Sequence, residues 1–229
     1  MATKTKLGNK HAVRPRRTNA ERSAATRGKL IQAAIDLLYE EGYSPTTTIS
    51  VAQRAHVSRG AMLHQFPTRV ELLLAVAEHI VAEQSRYRRE SLGLKHFDDP
   101  MQRFYFAADV SWEVHSKPSA IALLEIMMAT RSDKALRKGF TPFLKLWADM
   151  RNQAAARMAE SLGIADVGKV ADLISLHQTS MRGLAIELMF THDPAEVERL
   201  RQLQAHFDRT YMEKLVAVAK ADKVKADKK

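Results

Sequence analysis

Apolar residues recur along this chain at intervals of three and four, the spacing of one face of an α-helix. Leu30, Ile31, Ala34, Ile35, Leu37 and Leu38 form the first such run. Thr18 and Glu21 before it have the form of a capping box, and Gly42 after it suits a left-handed helix end. This predicts a helix over about 18–41. Thr47 opens a short helix over 48–55, and Val57-Ser58 opens another that ends near Phe66-Pro67. A second possible capping box, Thr68 with Glu71, begins a helix to about Glu90. Asp99-Pro100 and Asp193-Pro194 each read as an N-cap followed by a proline at the first helical position, where no N–H is needed. They start helices ending near Ser116 and Lys220. Helices over 118–131, 133–162 (bent at Pro142, stopped by Gly163) and 167–191 complete an all-α fold of about nine helices.

Composition narrows the function classes. The 229 residues contain no cysteine, which removes disulfides, thiolate nucleophiles and cysteine-bound zinc. A reducing, cytoplasmic setting fits that lack. No apolar run reaches the ~20 residues of a membrane span, and the basic N-terminus is not followed by the apolar segment of a secretory signal. The formal net charge is +10. Most of it is terminal: nine Lys and Arg face one Glu in residues 1–30, and six Lys face two Asp from Lys214 onward. A positive block beside a folded domain suits a polyanion such as nucleic acid or an anionic membrane surface. The Lys/Ala/Asp tail at 221–229 reads as a solvated end.

Residues 47–66 have the spacing of a helix-turn-helix. Val51, Ala52 and Ala55 share one face of the first helix, and Met62 and Phe66 take the inner side of the second. Small Ala52 permits a steep, close crossing. Arg59, Gly60, Ala61, His64 and Gln65 are then free to face outward, where an arginine can bond guanine O6 and N7 bidentately.

From Leu30 to Leu74 the chain resembles the DNA-binding domain of the TetR family of bacterial repressors. Gly42-Tyr43, Thr46-Thr47, Val51-Ala52, Ala55, Val57-Ser58, Gly60 and Phe66-Pro67-Thr68-Arg69 followed by Leu72 stand in order at the family's spacing. Three positions depart from it. The usual turn glycine is His56, which should adopt a positive φ, and the usual tyrosine and histidine are Leu63 and Gln65. The resemblance implies base reading by Arg59, Gly60 and Ala61 beside the cap Ser58. It implies backbone contacts from Thr47, His64, Gln65 and Arg69. Arg14, Arg16 and Arg17 of a basic arm over 1–17 can enter an adjacent minor groove.

Residues 91–220 are expected to form a second helical domain, after a reading domain over 18–90. The helix 167–191 is apolar nearly all round, so two sides need cover, and a partner subunit can supply one. The resemblance implies a homodimer built from this helix and the last one, with Leu184, Leu188, Phe207 and Tyr211 in the interface. A dimer would read a pseudo-palindromic double-stranded operator. Phe104, Trp112, His115, Met127, Met128, Trp147, Met150, His177 and Met181 are candidate effector-pocket residues, because ligand sites are mostly apolar with a few polar groups. Glu125 is a further polar candidate. No metal-ligand pair, cofactor motif or catalytic motif is present in the sequence. The function read here is a ligand-responsive regulator, a repressor released by a small apolar or aromatic effector. The alternatives are a helical small-molecule binder and a non-specific nucleic-acid binder.

Overall fold

The computed structural model describes residues 18–227, and nine α-helices account for the regular structure among them. α1 (Asn19–Glu40) starts at the expected capping box: Thr18 Oγ1 accepts from the Glu21 N–H at 3.2 Å, and Glu21 accepts from the Thr18 N–H at 2.7 Å. Gly42 then takes φ +82°. α2 (Thr48–Arg54) and α3 (Arg59–Gln65) are capped by Thr47 and Ser58. α4 (Arg69–Gly93) opens with the Thr68–Glu71 box. α5 (Pro100–His115), α6 (Pro118–Ala129), α7 (Lys134–Leu162), α8 (Val167–Phe190) and α9 (Pro194–Ala226) follow. Pro142 lies inside α7, and Gly163 ends that helix at φ +68°.

α9 runs to Ala226, past the stop expected at Lys220. The added turns are alanine, lysine and aspartate with no glycine or proline to break them, and lysines in the last turn suit the negative end of the helix dipole.

Two cores organise the helices. The larger joins Leu30, Leu37 and Leu38 of α1, Val51 of α2, Met62 of α3, Leu72, Leu73 and Ile80 of α4, Ile126 of α6 and Phe140 of α7. It runs across residues 90–91, so the short helices α2 and α3 rest on a body that α6 and α7 help to build. The second core gathers Phe104, Ala155, Ala159, Val170, Leu173 and Met212 from α5, α7, α8 and α9. α4 packs against α1, α5, α6 and α7, and so links the two. Where α7 crosses α4, Gly139 permits the approach: a Cβ there would come within 2.5 Å of Leu74 Cδ1.

Candidate nucleic-acid interface and effector region

α2 and α3 bury one side and offer the other. Val51, Ala52, Met62 and Phe66 are buried, and Ala55 and Val57 pack against them. The turn between the helices requires a left-handed residue, and His56 supplies it at φ +53°, as the sequence predicts. Thr47 Oγ1 accepts from the Ser50 N–H at 3.1 Å, and Ser58 Oγ from the Ala61 N–H at 3.2 Å. Those hydroxyls therefore build the helix ends. Arg59, Gly60 and His64 are exposed on the outer side of α3. A Cβ added at Gly60 would meet no atom within 4 Å, so that backbone is open to a partner.

Gln65 and Arg69 are drawn into the protein. Gln65 Nε2 donates to Ser23 Oγ at 2.7 Å, which ties α3 to α1. The Arg69 guanidinium lies 3.9 Å from the centre of the Tyr43 ring and donates to the Tyr43 carbonyl. Tyr43 is the hub of this corner. Its N–H donates to Glu125 Oε2 at 3.0 Å, and its hydroxyl donates to Asp133 Oδ2 at 2.8 Å. Burial and the bond to Asp133 push the Tyr43 hydroxyl's pKa up. The Leu136 N–H and the Tyr43 hydroxyl hold Asp133 below the usual carboxylate range. Glu125 thus serves the turn between α1 and α2, away from the pocket set in which the sequence places it. Its contact is with a residue 82 positions away, beyond any local pattern. Arg14, Arg16 and Arg17 lie outside the described residues.

The residues read as effector-lining separate into groups. Trp147 and Met127 pack on the larger core, Trp147 edge-on to Phe140 with ring centres 5.4 Å apart. Phe104 belongs to the second core. Met128 and Met150 are exposed. Trp112 is half-buried, while His115 and Met181 are buried on α5 and α8. His177 donates from Nδ1 to Asp208 Oδ2 of α9 at 2.7 Å, and Gln204 Nε2 donates to the other oxygen at 2.8 Å. An open cleft of about 570 Å³ lies elsewhere, between α1, α4 and the α5–α6 corner, lined by Asp36, His79, Glu83, Tyr87, Glu90 and Lys117 among others. None of the sequence-read effector residues lines it.

His115 is held neutral. Burial lowers its pKa to about 4, helped by the charges of Arg88, Arg182 and His177, against a bond to the Ser111 carbonyl at 2.8 Å. The unfolded chain therefore takes up this proton first as pH falls. Stability from His115 is present above its unfolded pKa of 6.5 and is lost as pH drops toward 4. Between pH 7 and 5, wild type should lose about 2 kcal/mol that a His115→Leu variant keeps. Urea unfolding of both proteins at the two pH values measures this. Equal losses would contradict it.

The helix-turn-helix coincides with a known profile: that of "Bacterial regulatory proteins, tetR family" matches residues 30–76. The HTH-type transcriptional regulator CymR of Pseudomonas putida is 34% identical over 189 residues, covering 81% of this chain and 90% of that protein. Among solved structures, a transcriptional regulator from Rhodococcus sp. Rha1 shares the fold with a TM-score of 0.63 at 19% identity, over 79% of this chain and 94% of that one. The multidrug binding protein EbrR, solved with imidazole, does so with a TM-score of 0.53 at 20% identity, over 79% and 93% of the two chains. No helix among the described residues is long and apolar enough to cross a membrane. With its reading helices, caps and turn residue in place, and a relative matched along nine tenths of that relative's length, this chain belongs to the TetR family of bacterial regulatory proteins and is a DNA-binding transcriptional regulator.

Proposed function

We propose that this regulator is a homodimeric repressor that reads a pseudo-palindromic operator with α3 and leaves it when a small apolar or aromatic effector binds the α4–α5–α7–α8 region. The observation that carries the reading is the two-sidedness of α3. Met62 and the C-cap Phe66 are fixed in the core, while Arg59 and Gly60 stand exposed in the first turn, directly after the Ser58 cap. Recognition helices present their N-terminal residues to base edges in this way. Arg59, Gly60 and Ala61 read bases. Thr47, Ser58, His64 and Gln65 contact or position the DNA backbone, and Arg69 holds the Tyr43 corner behind them.

The dimer reading rests on α8 and α9. Phe207 is 60% exposed and Tyr211 41% exposed, with Leu200 and Leu203 exposed on the preceding turns of α9. Leu176, Met189 and Phe190 are exposed on α8, where Leu184 and Leu188 are half-buried. Gly183 has open space where a Cβ would be. An apolar stripe of this extent fits a second copy of the same helix pair, since a two-fold contact uses the same patch twice. EbrR, which shares this fold, is a multidrug binding protein, and that likeness supports a small-molecule effector here.

The effector acts only through a difference in affinity for two conformations. α4 follows α3 in the chain, belongs to the larger core and packs against α5 and α7, so a shift of α4 changes the spacing of the two reading helices. A coupling of ~1–3 kcal/mol gives about 5–150-fold regulation, and the operator must weaken effector binding by the same factor. Calorimetry of an effector with and without operator DNA tests this. Equal affinities in both titrations would contradict release.

The basic arm adds a salt-dependent share. Deleting residues 1–17 removes six Lys and Arg and leaves the Thr18 cap of α1 in place. Operator affinity should fall, with a shallower dependence on salt and the largest loss at low salt, while the melting temperature stays put. An unchanged isotherm at low salt would show that the arm does not touch DNA.

A further inference from the structure

The reading helix is short and lightly buried. α3 has seven residues, of which Met62 is buried, and Phe66 follows as a buried C-cap. A helix of that length does not hold its own pose in water, so its neighbours set it. At its start the Ser58 cap and α2 do so. At its end the neighbour is α1. Gln65 Nε2 donates to Ser23 Oγ at 2.7 Å, and Arg27 Nη1 reaches the Gln65 carbonyl at 3.5 Å. The Arg27 guanidinium also lies 4.4 Å from the centre of the Phe66 ring. Ser23 and Arg27 are four apart and share a face of α1, so one strip of α1 receives the last turn of α3. The carbonyls of a helix's last turn have no partner within the helix, and Arg27 serves one of them.

Ser23 has no part in the core. Residues 18–25 are exposed throughout, and Leu30 is the first buried residue of α1. The side chains late in α3 point the same way. Leu63 is exposed but carries no hydrogen-bonding group, and the amide of Gln65 is turned to α1. Gln65 thus anchors the end of a helix whose start faces outward. Arg59 and Gln65 lie six residues apart, about 9 Å along the axis. Holding the far end fixes the tilt of α3, and the tilt sets where the Arg59 guanidinium meets a base edge. A bidentate contact tolerates little misalignment.

We propose that Ser23 and Gln65 are positioning residues for DNA reading: their hydrogen bond fixes the tilt of α3 and so aims Arg59 at its base pair, without either side chain touching DNA. The proposal deepens the reading that α3 enters the groove, and rests on it. When the bond is lost, α3 of the free protein samples several tilts and the operator has to select one of them. The affinity lost is bounded by the net contribution of one hydrogen bond, about two- to tenfold per half-site.

The test is gel-shift titration of the full-length protein on a DNA fragment selected by wild type, together with selection from randomised DNA. Ser23→Ala should bind that fragment about two- to tenfold more weakly per half-site and relax the preference at the base pair that Arg59 reads. Its melting temperature should hold, since the position is exposed and alanine favours a helix over serine. Gln65→Ala should lose as much as Ser23→Ala, and the double variant no more than either, because one bond is removed in all three. Ser23→Thr, which keeps the hydroxyl, should restore affinity and preference. Wild-type affinity in Ser23→Ala, an equal loss from Gln65→Ala with and without the Ser23 hydroxyl, or a Ser23→Thr protein as weak as Ser23→Ala would each overturn the proposal. The second of these would make Gln65 a direct DNA contact. Arg59→Ala on the same fragment separates the proposal from the reading beneath it. Weaker binding by Arg59→Ala with no effect of Ser23→Ala keeps α3 as the reader and overturns the positioning role. Wild-type binding by Arg59→Ala overturns both.

Discussion

Phe207→Asp should turn the protein into a folded monomer that no longer binds its operator tightly. Phe207 is 60% exposed on α9, so a carboxylate there meets water in the isolated chain and costs its fold little. In a two-fold dimer the same position is buried twice. Each copy forfeits about 2–3 kcal/mol of apolar burial. The two together weaken association by about a thousandfold or more, before the cost of desolvating two unpaired carboxylates. A monomer presents one α3 and reads one half-site. Light scattering and circular dichroism should report half the mass with unchanged helicity. Leu184→Asp reports the same interface less cleanly, because Leu184 is already half-buried within its own chain. A Phe207→Asp protein that stays dimeric would remove this face from the interface.

Arg59→Ala should cost ~1–3 kcal/mol per half-site and relax specificity at one base pair in each, if its guanidinium grips guanine. The side chain is exposed in the first turn of α3, so the substitution leaves the core untouched. Gly60→Ala is the companion test. Its Cβ enters open space in the free protein, and alanine favours the helix by about 1 kcal/mol over glycine. The variant should melt no lower than wild type yet bind operator more weakly, because the methyl group stands where the groove floor must approach. Selection of binding sites from randomised DNA measures both effects. Wild-type affinity and preference in Arg59→Ala would place the base reader elsewhere.

The local features of this fold are written in local sequence. Thr18 with Glu21, Thr68 with Glu71, Asp99-Pro100 and Asp193-Pro194 begin helices where expected, because a cap is decided by residues within one turn. His56 takes its positive φ in the turn between α2 and α3, at the position where the family pattern has glycine. The arrangement of side chains between distant helices was not legible in the same way. Phe104 and Trp147 read alike as effector-pocket candidates, and nothing nearby says that they enter different cores. Glu125 and Arg69 look free in sequence, yet Tyr43 engages both. Those contacts depend on how α6 and α4 cross α1, which is set by the summed packing of all three. The unpartnered buried nitrogens of Trp147, Arg151 and His177 were equally hidden, because a missing partner is visible only once the neighbours are in place.

The most direct measurement is nuclease footprinting of the purified full-length protein on fragments selected from the genome that encodes it. The account predicts a protected element of defined sequence with two inverted half-sites whose centres lie one helical turn apart or a multiple of it, ~34–36 Å for the single turn. Arg59→Ala should lose that protection and Phe207→Asp should protect at most one half. Protection without sequence preference that fades with salt equally on every fragment would contradict the account and leave only a basic surface on DNA.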